Sequence, residues 1–166
     1  MRKPHPIQSD YLLDQFDCGN EDLNTYLKKF AIQNHGTGSA RAHVIVDNNH
    51  VVGSYTLTSS SILKEDSPKE ITRGLPAHRQ VPAVLLGRFA VDIKYQGRGV
   101  GLALLDDALI RICHVAEDLG IRVVVVDAKD AAAKKFYTDR DFKEFEPGGM
   151  RLYLLIRHAR RTYGLD

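Results

Sequence analysis

The stretch "YQGRGVGLALLDDAL", Tyr95 to Leu109, places glycines at 97, 99 and 101 and runs straight into an apolar, helix-forming segment. Ahead of it stands "VPAVLLGRFAVD", a long apolar run with strand character, and behind the helix comes "IRVVVVDA", a run of the kind buried inside a sheet. The order strand, glycine turn, helix, strand restricts the chain to folds in which a sheet is covered by helices. The first N–H groups of a helix have no partner within the helix, and the aligned peptide dipoles add partial positive charge there. Glycines at that point let the main chain approach an anion with no Cβ in the way. Gly97, Gly99 and Gly101 therefore read as a phosphate-cradling turn.

The rest of the chain supplies the same sheet. "CGNEDLNTYLKKFAIQNHG" predicts one amphipathic helix from a capping Asn20 to Gly36. "RAHVIVDNNHVVGSYTLTSSSIL" predicts a hairpin turning at Asp47, Asn48 and Asn49, followed by a polar linker from Lys64 to near Gln80. The glycine-led helix is expected to end near Gly120, "DAAAKKFYTDR" forms a short helix, and "FKEF" and "RLYLLIR" make a final pair of strands. This is an α/β (α+β) pattern on one mixed sheet, expected as a single domain over 1–166.

With 166 residues, 43% of them hydrophobic, the chain can bury a self-sufficient core. No apolar run approaches the roughly 18 residues of a membrane span, and "MRKPHPIQSD" lacks the apolar middle of a signal peptide, so a cytoplasmic protein with no membrane role is expected. Cys18 and Cys113 read as buried thiols, and the seven histidines show no metal spacing, so no metal is expected. The net charge is only +2, yet residues 71–98 carry Arg73, Arg79, Arg88, Lys94 and Arg98 against Asp92 alone. That asymmetry permits a basic face for a polyanion; arginines scattered over a solvated surface are the alternative.

A nucleoside-triphosphate loop would need GxxxxGK followed by Ser or Thr, which is absent. A GxGxxG fingerprint fails because Leu102 or Leu104 occupies the sixth position. What remains, Gln96-x-x-Gly99-x-Gly101 after a strand ending "RFAVD", resembles the (Q/R)xxGx(G/A) acyl-CoA loop of the GNAT N-acetyltransferases. "AAAKKFYTDRDF" is similar to that family's AxxFYxxxGF segment, departing from it at Asp141, a residue type that tolerates the left-handed backbone glycine would take there. Together with "FDCGNEDLNTYL", "VGSYTLTSSSI" and "PAVLLGRFAVD", these segments resemble the acetyltransferase toxins of type II toxin-antitoxin modules.

The resemblance implies a GNAT fold with a mostly antiparallel sheet flanked by helices, and acetyl-CoA as co-substrate. It implies acetylation of the α-amino group of aminoacyl-tRNA, which blocks translation, and a ribbon-helix-helix antitoxin as partner. Whether the chain pairs as a homodimer stays open. Main-chain groups of Phe89, Ala90 and Val91 would hold the thioester carbonyl and pantetheine. The loop Gln96, Gly97, Arg98, Gly99, Val100, Gly101 and Leu102 would hold the pyrophosphate. Tyr137 would be the general acid: a phenol of pKa about 10 is protonated at neutral pH and can give its proton to a departing thiolate of pKa about 8.5. No carboxylate stands out as a base, which favours an α-amine of pKa about 7.7 to 8.0 over a lysine near 10.4. A protein N-terminus, a lysine or a small amine remains the alternative acceptor, and a non-catalytic acyl-CoA binder is a third reading. Lys28, Lys29, Arg79, Arg88 and Arg157 are the candidates for contact with tRNA.

Overall fold

Four consecutive valines, Val123 to Val126, are each at most 2% exposed, so the strand they form is covered on both faces. That strand is the reference for the architecture of a computed structural model, which describes residues 3–76 and 80–166. In chain order the elements are β1 (His5–Pro6), α1 (Glu21–Lys29), α2 (Ala31–Thr37), β2 (Arg41–Asp47), β3 (His50–Ile62), α3 (Lys69–Thr72), β4 (Val81–Val91), α4 (Val100–Val115), β5 (Val123–Asp127), α5 (Ala131–Thr138), β6 (Lys143–Glu144), β7 (Arg151–Leu155) and α6 (Ile156–Thr162). The strands lie in the order β1-β2-β3-β4-β5-β7-β6 in a mostly antiparallel sheet of seven. β4 and β5 run parallel, with Ala83, Val84 and Leu85 opposite Val123, Val124 and Val125. The mixed sheet with helices is therefore the one expected.

The chain forms two compact units, Met1–Thr58 with Leu86–Leu109, and Ser59–Leu85 with Ile110–Asp166. In the first, Phe16, Cys18, Leu27, Ala31, Val44, Val51 and Ala90 belong to one buried cluster. In the second, Ile62, Ile71, Val81, Val123, Val125, Tyr153 and Leu155 do the same. Both cysteines are free and buried.

Local signals account for several boundaries. The Asn20 side chain accepts from the Leu23 N–H at 3.1 Å, with acids in the first turn of α1 and Lys28 and Lys29 in the last, each placed to complement the helix dipole. Asn48 and Asn49 take φ of 48° and 67°, which a two-residue hairpin turn requires and asparagine tolerates. Asp141 takes φ 70° where glycine was the expected residue type.

Other boundaries differ from expectation. The first helix is broken at Phe30, whose φ of −121° tilts the chain, although Phe30 N–H still reaches Tyr26 O and Asn34 N–H reaches Phe30 O. The linker is ordered over its described part: a 3₁₀ turn at Lys64–Asp66 precedes α3, and Lys64 Nζ donates to the Leu75 and Pro76 carbonyls at 2.6 and 3.0 Å. α4 stops at Val115 rather than near Gly120. The last strand ends at Leu155, and the chain turns into α6, because Ile156 and Ala159, three residues apart, are buried on one helical face. Arg157 therefore sits on a helix. Among the described residues no helix is long and apolar enough to cross a membrane.

Candidate active site

The glycine turn lies in the first unit. β4 ends at Val91, a 3₁₀ turn covers Ile93–Tyr95, and α4 begins at Val100. The first helical bond runs from Ala103 N–H to Gly99 O at 3.0 Å, so the N–H groups of Val100, Gly101 and Leu102 fall in the open first turn. Gly97 and Gly99 adopt φ of 73° and 82°, a conformation side chains rarely accept, and a Cβ built on either would meet nothing within 4 Å. Protein packing thus leaves this space clear, as an anion approaching the main chain requires. Gly101 lies inside the first turn of α4.

The side chains of the loop divide by role. Arg98 lies over the Tyr95 ring with its guanidinium carbon 4.8 Å from the centroid, and its charge faces solvent on an exposed residue. Gln96, also exposed, bonds back to the main chain: its Nε2 donates to Val91 O at 2.9 Å and Cys18 O at 3.3 Å. The Tyr95 hydroxyl donates to Asp47 Oδ2 at 2.7 Å, a bond that raises the Tyr95 pKa.

Within the same unit, α4 packs on the sheet through a very close approach. A Cβ on Gly53 of β3 would sit 2.9 Å from Leu104 Cδ1 and 3.0 Å from Val100 Cγ1. Tyr55, fully buried, donates to Asp107 Oδ2 of α4 at 2.5 Å, and His43 stacks on its ring at 5.2 Å. In β4, Arg88 has φ 48°, an unusual value for a non-glycine residue inside a strand. Its guanidinium lies over the Tyr26 ring, 4.5 Å from the centroid, so Arg88 rests against the helix whose last turn carries exposed Lys28 and Lys29. Phe89, Ala90 and Val91 follow directly, with Ala90 4% exposed and the other two partly so.

In the second unit, α5 presents Tyr137. Asp130 caps this helix by accepting from Ala133 N–H at 2.8 Å. Tyr137 is 5% exposed, with its ring 5.3 Å from Phe136 and 5.4 Å from Phe142. Burial pushes its phenol far above the ordinary range. The group is therefore protonated at every physiological pH, as a general acid must be, and it is also a weaker acid than free tyrosine. The half-buried Phe136, edge-to-face with Tyr137, carries Arg140 over its ring at 4.4 Å. Arg157 is exposed on α6, beside Arg122 and Arg160 at a pocket of about 380 Å³ in this unit. Arg79, the remaining basic candidate, lies outside the described residues.

Sequence reasoning found the loop and missed what anchors it. Asp17 and Asp92, which bond each other across 75 positions of sequence, carry no local pattern that marks them. Among the described residues no group of His, Cys, Asp or Glu is arranged to hold a metal ion.

An acetyltransferase (GNAT) domain model matches residues 38–144. This chain belongs to the GNAT acetyltransferase family. A tRNA-acetylating toxin of Mycobacterium tuberculosis (strain ATCC 25618 / H37Rv) is 39% identical over 161 residues, covering 97% of this chain and 96% of that protein. Among solved GNAT structures, AtaT complexed with acetyl-methionyl-tRNAfMet superposes with TM-score 0.87 at 27% identity, covering 96% of this chain and 98% of that one. A tyrosine-to-phenylalanine variant of the AtaT toxin, bound to the C-terminus of the antitoxin AtaR and acetyl-CoA, gives TM-score 0.81 at 26% identity, with 97% of each chain covered.

Proposed function

We propose that this chain is an acetyl-CoA-dependent toxin that acetylates the α-amino group of aminoacyl-tRNA. The observation that carries this is the 39% identity, along 97% of the chain, to a tRNA-acetylating toxin. Acetyl-CoA supplies the acetyl group as an activated thioester. The N–H groups of Val100, Gly101 and Leu102, with the clear space over Gly97 and Gly99, receive the pyrophosphate, and Arg98 adds positive charge. The main chain of Phe89, Ala90 and Val91 orients the thioester. The substrate α-amine, neutral in part at pH 7, forms the new N–C bond as the C–S bond breaks, and its surplus proton passes to solvent. Tyr137 supplies the departing sulfur with a hydrogen bond and then a proton.

Lys28, Lys29 and Arg88, gathered on and against α1, and Arg157 on α6 contact the tRNA backbone; Arg79 is proposed with them on sequence grounds alone. The enzyme acts in the cytoplasm as one catalytic domain over 1–166, and a ribbon-helix-helix antitoxin holds it inactive. The test is incubation of the protein with acetyl-CoA and bulk charged tRNA, followed by mass spectrometry of the released amino acids. N-acetyl-aminoacyl products support the reading; acetylation confined to peptides, lysines or small amines overturns it. Growth arrest on expression, relieved by the antitoxin, tests the toxin assignment separately.

A further inference from the structure

We propose that Asp17, Asn24, Asp92 and Gln96 form a hydrogen-bonded brace that presets the glycine turn for the acyl-CoA pyrophosphate, and that Gln96 is a positioning residue of this brace rather than a ligand. The inference rests on the reading that acyl-CoA binds at Gly97–Leu102. All four residues lie in the first unit, and the bonds form one chain. Asn24, 5% exposed on α1, accepts from Cys18 N–H at 2.9 Å and donates from Nδ2 to Asp17 Oδ1 at 3.0 Å. Asp17 also accepts from Gly19 N–H at 2.9 Å, and these two donors hold its carboxyl below the usual carboxylate range.

The Asp17 main chain then meets the approach to the glycine turn in two places. Its N–H donates to Asp92 Oδ2 at 3.1 Å, and its carbonyl accepts from Ile93 N–H at 2.8 Å. Asp92, 7% exposed, uses its other oxygen to accept from Lys94 N–H at 2.9 Å, while its own N–H reaches Val52 O at 2.9 Å. Gln96 completes the brace with bonds to Val91 O and Cys18 O.

Two physical arguments turn this into a role. A buried carboxylate is costly unless fully bonded, and both oxygens of Asp92 are bonded to main-chain N–H groups, those of Asp17 and Lys94, while the exposed Gln96 amide spans the Val91 and Cys18 carbonyls. Their effect is to fix residues 92–96, immediately before the part of the chain whose glycines carry the greatest conformational freedom. A loop fixed at its entrance loses less entropy when it closes on a ligand, so it binds more tightly without touching it. Gln96 has two amide hydrogens, and carbonyls take both, so the amide has no hydrogen left to donate to a phosphate.

The test uses the full chain, with steady-state release of the CoA thiol from acetyl-CoA and, in parallel, of thiol from S-acetylpantetheine, which lacks the pyrophosphate. Gln96→Met removes both donors from an exposed position without adding charge, and Gln96→Arg restores donors. Gln96→Met is expected to raise KM for acetyl-CoA about tenfold, the loss of two modest hydrogen bonds, with kcat within about twofold of the parent. The constants for S-acetylpantetheine should not move, and Gln96→Arg should recover most of the KM. Asp92→Asn, which turns an amide donor onto one of the N–H groups Asp92 accepts from, should raise the same KM, and its effect should fall short of additive with that of Gln96→Met.

An unchanged KM in Gln96→Met overturns the brace, as does an equal effect on both donors. A KM raised by Gln96→Met but untouched by Asp92→Asn, with both proteins melting cooperatively, makes Gln96 a direct ligand and also overturns it. Gly101→Val separates this from the underlying reading. If that variant leaves acetyl-CoA binding intact, the glycine turn is not the site; if it abolishes binding while Gln96→Met does nothing, only the brace fails.

Discussion

The closest fit in the first unit makes a sharp prediction at Gly53. A methyl group there would stand 2.9 Å from Leu104 Cδ1 and 3.0 Å from Val100 Cγ1, both on the first turns of α4 and both buried, with Ala90 O at 3.7 Å behind. Contacts under 3.0 Å do not persist, so Gly53→Ala must move the helix or twist Leu104 from its rotamer. Overpacking of this kind costs about 1 to 3 kcal/mol. For a chain of this length that corresponds to a melting temperature lower by about 2 to 12 °C. The displaced element is the helix whose first turn is proposed to receive the acetyl-CoA pyrophosphate, so affinity for acetyl-CoA should fall in the same variant. Leu104→Ala alone should cost about 2 to 5 kcal/mol through the cavity it leaves. In the double variant the new methyl enters part of that cavity, so the combined loss should fall short of the sum by about 1 kcal/mol or more, with Val100 limiting the rescue. Thermal and denaturant unfolding of the four proteins, with acetyl-CoA titration calorimetry, measures every term. A Gly53→Ala protein that melts like the parent, or a pair whose losses simply add, would refute the argument that this glycine sets the seat of α4.

Tyr137→Phe keeps the ring and removes the proton donor, so turnover should fall about 100- to 10,000-fold with acetyl-CoA affinity nearly unchanged; a fully active variant would leave the reaction without its acid. Because burial raises the Tyr137 pKa, the folded protein keeps this proton after the unfolded chain has lost it. Its contribution is therefore intact below the ordinary phenol pKa of about 10 and declines above it, and alkaline unfolding profiles of Tyr137→Phe should lose that part of the slope. Glu70 runs the other way: it accepts from the Tyr153 hydroxyl at 2.6 Å and from Lys143 Nζ at 3.1 Å, and these bonds, the tyrosine's foremost, lower its pKa. Glu70→Gln should therefore lower the melting temperature at pH 7, and the difference should shrink as pH falls through the ordinary carboxyl range near about 4.3; a gap that stays constant from pH 7 to 3 would remove the charge from the explanation. Binding of charged tRNA should weaken steeply with salt, and Arg88→Ala should flatten the slope by about one counterion; salt-insensitive binding would count against the backbone contacts.

What was legible in the sequence was local. The cap at Asn20, the turn at Asn48 and Asn49, the buried valines of β5 and the left-handed Asp141 each follow from residues within one turn or one strand of one another. The glycine turn was legible for the same reason: its positive φ values at 97 and 99 are set by what those residues lack. The break at Phe30 left no such trace, since the apolar spacing of "LNTYLKKFAI" continues across it. The switch from β7 to α6 was hidden as well, because "RLYLLI" keeps its strand character up to the residue where burial begins to follow a helical interval.

The site divides along the same line. A phosphate turn demands particular backbone freedom at particular positions, so its pattern survives as a string. The groups that steady it act through main-chain N–H and C=O, which every residue other than proline offers in full, so an acid at 92 can be matched by almost any residue at 17 that brings its amide within reach. Tyr137 falls between these cases. Its neighbours in "KKFYTDRDF" fix which way the ring points, but the burial that makes it a stubborn phenol comes from packing in the fold, including the ring of Phe142, which follows the helix. A motif can therefore single out a tyrosine without stating its strength as an acid. If Tyr137 is the acid we propose, that strength decides whether it transfers its proton early or waits for the sulfur to carry nearly full charge. A phenol far above its ordinary pKa favours the second, so electron-withdrawing thioester donors, whose thiolates need the proton least, should be the substrates least harmed by Tyr137→Phe.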